Sequence, residues 1–368
     1  MHFTTISQLG IRWAAVAFCV LLSCALGFAQ NQPWCEHVVM ISFDGLRPDL
    51  LQNQINRGEC PAFAYLQQAG LYTHNARTDV THTVTLPNHT CMLTGLAVSR
   101  IPGLDETVYH GYTGNVDPSD TETLHNSGNP HLTYVPSVFD VAKAHGKRTA
   151  MFASKSKFSL FARSYGASQT PAASSENPQT GVLDVSVIAG MDEMQRALLE
   201  HLSTEPAHLI FVHYADADKT GHEYGWGSAE YLAVVEKLDR YLAQILHAIE
   251  RSAHLRGNTV LLITADHGGV EKHHEDNVNP LNYTIPFYVF GKGIPAGNLY
   301  DWLGPQRKDP GQTAPDYRAT PQPIRNGDLG NLALELLGLP FIPNSLMKGP
   351  YFVEKLRSAQ AQSMVPAQ

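Results

Sequence analysis

The sequence predicts an α/β protein whose mostly parallel central sheet is covered by helices on both faces. Three short runs without acid or lysine, rich in β-branched and apolar residues, have the length and composition of buried strands: His37 to Phe43, His208 to His213 and Thr259 to Thr264. Between them lie helical patterns, most clearly Ser228 to Arg251, where apolar residues recur with the 3.6-residue period. Strand and helix alternate, the order that builds parallel sheets through crossover connections. A chain of 368 residues with 43% hydrophobic and 16% charged residues has enough apolar mass for one large core.

Taken in order, Trp13 to Phe28 is apolar, preceded by Arg12 and followed by Ala29, the layout of a signal peptide cleaved near Ala29. A retained anchor is the alternative, although the run is short for a span. Leu21-Leu22-Ser23-Cys24 resembles a bacterial lipobox, which would place a lipid on Cys24. A secreted or periplasmic protein is therefore expected, with no other segment apolar and long enough to form a stable membrane span. The organisation expected is a leader at 1–29, one domain at 30–350 and a flexible C-terminal tail at 351–368. Cys35, Cys60 and Cys91 follow the leader, and one disulfide between Cys35 and Cys60 is allowed.

The first strand ends at Asp44-Gly45, and Cys60 to Gly70 reads as a helix with Pro early and Gly at its stop. Thr85 precedes Pro87 where a loop enters a helix. A loop rich in Gly, Asp, Thr and Asn, from Ile101 to Asn129, contains Asn115. Pro136 to His145 is expected to be a helix, and Lys147 to Ala153 a strand that delivers Lys155 and Lys157. Tyr165 to Gly181 reads as a surface excursion, Met191 to Leu202 as a helix, Ile285 to Phe290 as a strand, and Leu329 to Leu337 as a last helix stopped by Gly338.

Chemistry concentrates where the predicted strands stop. Asp44 follows the first, Asp218 and His222 lie in the turn beyond the second, and Asp266 and His267 follow the third. If the strands are parallel, these turns open on one edge of the sheet, where open α/β sheets hold ligands. His273 and His274 come soon after and can reach that edge. Carboxylate oxygen with imidazole nitrogen suits zinc-like divalent ions, and two such ions can clamp the attacking and leaving oxygens of an in-line displacement. Singly, each residue has an ordinary explanation, a helix cap for Asp218 and a polar turn for Asp266 and His267. Their recurrence after three apolar strands favours a metal site. The Thr85 hydroxyl lies beside free backbone N–H groups and the positive end of a helix dipole, a place suited to a phosphoryl group. An N-cap threonine is its structural alternative.

Thr85-Leu86-Pro87-Asn88-His89, Asp218-x-x-Gly-His222 and Ala265-Asp266-His267-Gly268-Gly269 together resemble the alkaline phosphatase superfamily, and within it the type I phosphodiesterase/nucleotide pyrophosphatase family, over about Val38 to Pro340. The resemblance implies an alkaline phosphatase-like fold with small loop or cap insertions. It also implies a secreted phosphoester hydrolase holding two divalent ions, zinc by family. One ion falls to Asp218, His222 and His274, with His273 as the competing last ligand. The other falls to Asp44, Asp266 and His267, with Thr85 against it as nucleophile and a phosphothreonine as intermediate. Asn115 resembles the family's asparagine that hydrogen-bonds a phosphoryl oxygen. The implied substrate is a small phosphate ester or a nucleotide, cleaved as by a phosphodiesterase or nucleotide pyrophosphatase.

Lys155 and Lys157 depart from that pattern and are similar to the basic pair of phosphomonoesterases and phosphonoacetate hydrolases in the superfamily. A monoester dianion exposes an extra charged oxygen that cationic donors can bind, so either activity is the alternative; solvated surface lysines are the plain one. The non-enzymatic alternative is a binding protein that keeps the metal site. A sulfatase would need a Cys-x-Pro-x-Arg segment, which is absent, and a phosphoglycerate mutase-like site a serine in an Asp-Asn-Ser setting. A phosphoethanolamine-type transferase would need membrane helices. The formal charge of −8 argues against long nucleic acid as a partner. Trp226, Tyr224 and Tyr112 are read as packing residues or as platforms for an aromatic leaving group.

Overall fold

The first strand, β1 (His37–Phe43), is buried at every position. Its run of Val38, Val39, Met40 and Ile41 has zero exposure, and burying each such side chain is worth about 1.5–3 kcal/mol against an extended chain. Such a strand needs partners on both edges and cover on both faces. The computed structural model describes residues 32–166 and 181–363. The leader at 1–29, Cys24 and most of the excursion at Tyr165 to Gly181 lie outside the described residues.

The partners of β1 are β5 (Leu209–Tyr214) and β6 (Thr259–Thr264), both parallel to it. Outward from β5 come β3 (Thr149–Ala153) and β4 (Val185–Ile188), also parallel. Outward from β6 come β7 (Thr284–Gly291), β2 (Leu71–Arg77) and the two-residue β8 (Gly297–Asn298). Only β7 runs against its neighbours, so the sheet is mostly parallel, as expected.

Register decides what this sheet can do. Phe43 pairs with Tyr214, and Ser42 pairs with both His213 and Thr264. Ala153 also pairs with His213. Four strands thus end level, and the segments carrying Asp44, Lys155, Asp218 and Asp266 leave the sheet at one edge.

The helices pack as two groups. The long α8 (Ala229–Arg251) lies against α1 (Pro48–Asn56), α2 (Pro61–Ala69), α6 (Met191–Ser203) and α7 (Asp216–Tyr224). The second group joins α9 (Leu329–Leu336) to α3 (Thr85–Thr94) and α4 (Val138–Ala144), with α9 also against β1 and β6. A further short helix, α5 (Ser159–Tyr165), follows the β3 loop.

Several expectations are corrected. Asp218 and His222 lie on the helix α7 rather than in a turn. Neither α1 nor β2 was anticipated; the sequence of β2, LYTHNAR, hides a strand because its Arg77 is buried with its guanidinium on the carbonyls of Asn75, Gly311 and Thr313. Cys35, Cys60 and Cys91 are all free and buried, so no Cys35–Cys60 disulfide forms. The flexible tail expected from 351 instead begins with the buried Tyr351, Phe352, Val353 and Leu356 and continues as α10 (Val353–Ser363). There the amides of Tyr351 and Val353 donate to the Glu335 carboxylate, and the apolar side chains find cover. No helix among the described residues is long and apolar enough to cross a membrane.

Candidate active site

Asp44 is the first residue past β1, and Gly45 turns the chain there with φ +74°. A Cβ on Gly45 would stand 2.9 Å from the Asp218 backbone, so only glycine lets the two aspartates approach. The turn is sealed by Asp218 N–H on the Asp44 carbonyl (3.0 Å) and Gly45 N–H on Asp266 Oδ1 (3.0 Å). On α7, Asp218 and His222 are one helical turn apart and share a face. The glycine between them, Gly221, is needed because the Trp226 ring lies 2.6 Å from where its Cβ would be. That indole also donates to the Gly45 carbonyl at 2.8 Å.

The six expected ligands come together in a consistent way. Each imidazole ties Nδ1 to a backbone carbonyl: His222 to Lys272 (2.9 Å), His267 to Gly268 (2.8 Å) and His274 to Thr83 (2.5 Å). Fixing Nδ1 as the donor leaves the Nε2 lone pair for the centre. Each carboxylate likewise has one oxygen held. Asp266 Oδ1 accepts from Gly45 N–H and His267 N–H, Asp44 Oδ2 from Lys155 and His213, and Asp218 Oδ2 from Lys155. Asp44 Oδ1, Asp218 Oδ1, Asp266 Oδ2 and His267 Nε2 are buried without a hydrogen-bond partner.

These atoms form two clusters. Asp44, Asp266 and His267 offer ligand atoms within 4.8 Å of one another, and so do Asp218, His267 and His274. His222 Nε2 joins the second at 3.3 Å from Asp218 Oδ1 and 3.1 Å from His274 Nε2. Buried polar atoms are nearly always paired; four converging orphans, all electron-pair donors, fit a divalent cation. His273 stands apart, its side chain 77% exposed, while that of His274 is 2% exposed.

Electrostatics fit the same role. Burial pushes the Asp266 carboxyl well above the usual carboxylate range, with the Asp44 charge adding to it. Burial also pushes Asp44 up, but Lys155 and His213 outweigh it and hold it well below that range. Asp218 is lowered too: burial and Asp44 raise it, and the neighbouring His222 and the Lys155 charge overcome them. Burial and the neighbouring His274 push His267 down to about 3, and burial lowers His274. Both are neutral near pH 7, the form that binds metal. His222 moves the other way, raised first by the Asp218 carboxylate, whose Oδ1 lies 3.3 Å from its Nε2.

Thr85 is the first residue of α3, and the cap position is Val84, so the hydroxyl does not cap the helix. Its partner is Lys155 Nζ at 3.3 Å, the same ammonium that bridges Asp44 Oδ2 (2.7 Å) and Asp218 Oδ2 (2.6 Å). With its side chain 11% exposed, Lys155 is not a solvated surface residue. Asn115 Oδ1 accepts from Leu86 N–H at 3.1 Å, which leaves its NH2 group as the free end beside the α3 N-terminus. Lys157 Nζ donates to the Asn115 carbonyl at 2.7 Å. Of the aromatic residues considered, Trp226 and Tyr112 are buried in packing and Tyr224 is exposed.

Two further buried histidines lie at this edge, His89 of the Thr85 motif and His213 of the β5 run, neither of which the sequence marks with a role of its own. His89 Nδ1 donates to the Thr85 carbonyl at 2.8 Å, while its Nε2 accepts from Ser42 Oγ at 2.8 Å. His213 Nε2 donates to Asp44 Oδ2 at 3.0 Å. The signal available for His213 was a titratable residue inside an apolar strand.

Comparisons with known proteins bear on family and fold. The family model for type I phosphodiesterase / nucleotide pyrophosphatase matches residues 38–321. Ectonucleotide pyrophosphatase/phosphodiesterase family member 7 of Rattus norvegicus is 24% identical over 259 residues, covering 69% of this chain and 54% of that protein. A 2,3-bisphosphoglycerate-independent phosphoglycerate mutase of Wolbachia pipientis wMel is 34% identical over 119 residues, 31% of this chain and 22% of that protein. The chain thus spans about half the length of the first relative and about a fifth of the second. Among solved structures, a murine ectonucleotide pyrophosphatase / phosphodiesterase 5, an inactive threonine-to-alanine variant in complex with AMP, superposes with a TM-score of 0.55 at 15% identity, covering 84% of this chain and 96% of that one. A 2-O glycosaminoglycan sulfatase, BT1596, gives 0.54 at 13% identity over 84% and 72%. These structural likenesses speak for the shared fold. With its model matched over most of the length, the chain belongs to the type I phosphodiesterase / nucleotide pyrophosphatase family.

Proposed function

We propose that this chain is an exported phosphoester hydrolase that holds two divalent ions, zinc by donor type, and works through a phosphothreonine at Thr85. The observation that carries the reading is the set of four buried, unpartnered donor atoms on Asp44, Asp218, Asp266 and His267, beside a Lys155 ammonium that joins the Thr85 hydroxyl to the other oxygens of Asp44 and Asp218. Asp44, Asp266 and His267 would hold one ion, and Asp218, His222 and His274 the other. Metal binding there supplies a lowered hydroxyl pKa and neutralises charge on phosphoryl oxygens.

The chain's own groups do the positioning. Thr85 Oγ1 forms a bond to phosphorus as the bond to the leaving oxygen breaks, and water later cleaves the Thr85 ester. Asn115, its Oδ1 occupied by Leu86 N–H, directs its NH2 at a phosphoryl oxygen. The α3 N-terminus lends its dipole to the same charge. Lys155 stays protonated: burial lowers its pKa, but Asp44 and Asp218 raise it further. It therefore serves as a cationic donor and not as a base.

A nucleotide diester or other small phosphodiester is the first substrate class, in line with family membership; the AMP held by the murine structure is a monoester and fits the nucleotide half of such a substrate. The deep placement of Lys155 favours a second reading, a monoester or phosphonate dianion, whose extra charged oxygen it would meet. The leader at 1–29 and a catalytic domain at 30–350 belong to the same proposal. The test compares kcat/KM of the zinc-loaded protein for p-nitrophenyl phosphate with that for its methyl or nucleotide diester, with Thr85→Ala as control. Acid quench during turnover should trap phosphate on Thr85. Diester preference supports the first reading, and monoester preference lost on Lys155→Ala supports the second. Zinc binding without turnover of either ester, or turnover untouched by Thr85→Ala, would sink the mechanism.

A further inference from the structure

We infer that His213 is a positioning residue, the donor that keeps Asp44 aimed at its metal ion throughout turnover; the inference rests on the metal-site reading above. His213 sits one residue from the end of β5, with zero exposure, in register with Ser42 of β1. Asp44 is two residues beyond Ser42. Across the strand pair, His213 Nε2 donates to Asp44 Oδ2 at 3.0 Å, leaving Oδ1 free on the side of His267 Nε2, 3.4 Å away.

The three site carboxylates are not held alike. Asp266 Oδ1 takes two backbone amides, from Gly45 and His267, which no substrate can draw away. Asp44 Oδ2 takes two side-chain donors, Lys155 Nζ and His213 Nε2. Lys155 is shared: it also binds Asp218 Oδ2 and lies 3.3 Å from Thr85 Oγ1, where an incoming phosphoryl group would compete for its protons. His213 is sealed by the rings of Phe158 at 4.0 Å and His89 at 4.9 Å and cannot be drawn off. It is the donor that remains when Lys155 turns to substrate.

The cost of placing a histidine here points the same way. His213 Nδ1 is buried with no hydrogen-bond partner, while its neighbours along β5, Phe211, Val212 and Tyr214, are buried apolar or aromatic side chains. A residue kept only for packing would be leucine or phenylalanine, without the idle nitrogen. The Nε2–H bond to Asp44 is what an apolar side chain cannot supply. Groups that orient metal ligands in this way typically change metal affinity about 10–100-fold when removed.

The experiment uses the full mature chain as wild type, His213→Leu and His213→Gln, the glutamine amide reaching about where Nε2–H does. Zinc affinity is read by competition with a chromophoric chelator, beside kcat and KM. His213→Leu should weaken one of two zinc sites about 10–100-fold and lower kcat more than KM, with His213→Gln recovering most of both. In the wild type, which needs no variant to fold, imidazole 15N shifts should show the Nε2–H tautomer at His213. Unchanged zinc affinity in His213→Leu, no recovery in His213→Gln, or an Nδ1–H tautomer would each overturn the inference while the metal reading stands. A wild-type protein that binds no zinc would overturn both.

Discussion

Of the two proposed ligand groups, Asp44, Asp266 and His267 have zero exposure and follow the ends of two adjacent strands, whereas in the other His222 sits on a nine-residue helix with its side chain 40% exposed and His274 sits on a loop. The first group inherits its geometry from the level ends of β1 and β6, which backbone hydrogen bonds fix. The second must be assembled by docking. Trp226 packs under Gly221 and Gly269, and Thr83 and His274 bond each other twice, hydroxyl to carbonyl and imidazole to carbonyl. Covalent succession from a rigid sheet gives a pre-formed site; docked elements give one that can open and exchange. The inner group should therefore hold its ion more tightly than the outer.

The largest effect tests what lies between the two groups. Thr85→Ala should lower kcat/KM by at least about 10³-fold while both ions stay bound, read by turnover beside metal analysis of the dialysed protein. An ion lost along with activity would make Thr85 part of the inner group's structure and blur the contrast. Next, chelation of the zinc-loaded protein should proceed in two phases, the outer ion leaving first. His222→Ala should abolish only the fast phase, and His267→Ala should disturb both, because His267 lies within reach of both clusters. Single-phase release, or loss of the inner ion from His222→Ala, would mean the two groups are one cooperative unit.

Lys155 touches one carboxylate of each group. Lys155→Ala should cost about 10–100-fold in kcat/KM for a monoester, the worth of a charge-assisted hydrogen bond, and less for a diester. Equal losses on both would assign the lysine to holding Asp44 and Asp218 together. The smallest effect is in pH. His222 is raised above its ordinary value of 6.5 by Asp218. In the metal-free protein this contact stabilises fully below that value and is lost as pH rises through the raised one. Zinc retention in the outer group runs oppositely, since protons compete for Nε2. From about pH 6 to 8 the share of metal-free stability that His222 supplies should shrink, read as the Tm difference between wild type and His222→Ala at each pH, while outer-site zinc rises and the inner site, with His267 already neutral, changes little. Parallel trends at both sites would remove the distinction.

Periodicity and composition were enough for β1, β5, β6 and the long α8, whose predicted and observed limits differ by a residue at most. Each is a long or uniformly buried element, where local pattern and tertiary packing ask for the same residues. Asp44, Asp218, Asp266 and His267 stood out in the sequence because they follow those strands, whereas His274 was named only through the family resemblance, with His273 beside it. Less was legible where one residue serves distant partners. Nothing local marks Arg77 as the buried end of a strand whose guanidinium is satisfied by carbonyls more than 200 residues away, and Lys155 looks like any lysine past a strand until Asp44 and Asp218 close on it. The helix under Asp218 and His222 was readable in their four-residue spacing, but its short, polar sequence masked it.

The chain alone therefore determined which donors exist and that they follow strand ends, because strand-forming runs and the residues after them are covalent neighbours. Tertiary structure decided the rest. The register of β5, β1 and β6 sets which oxygen of each aspartate is tied and which is bare. Backbone carbonyls remote in sequence choose the tautomer of each imidazole, and the same packing puts His213 behind Asp44 and leaves His273 in solvent. Those choices depend on distances and burial between segments far apart along the chain, which no local pattern contains.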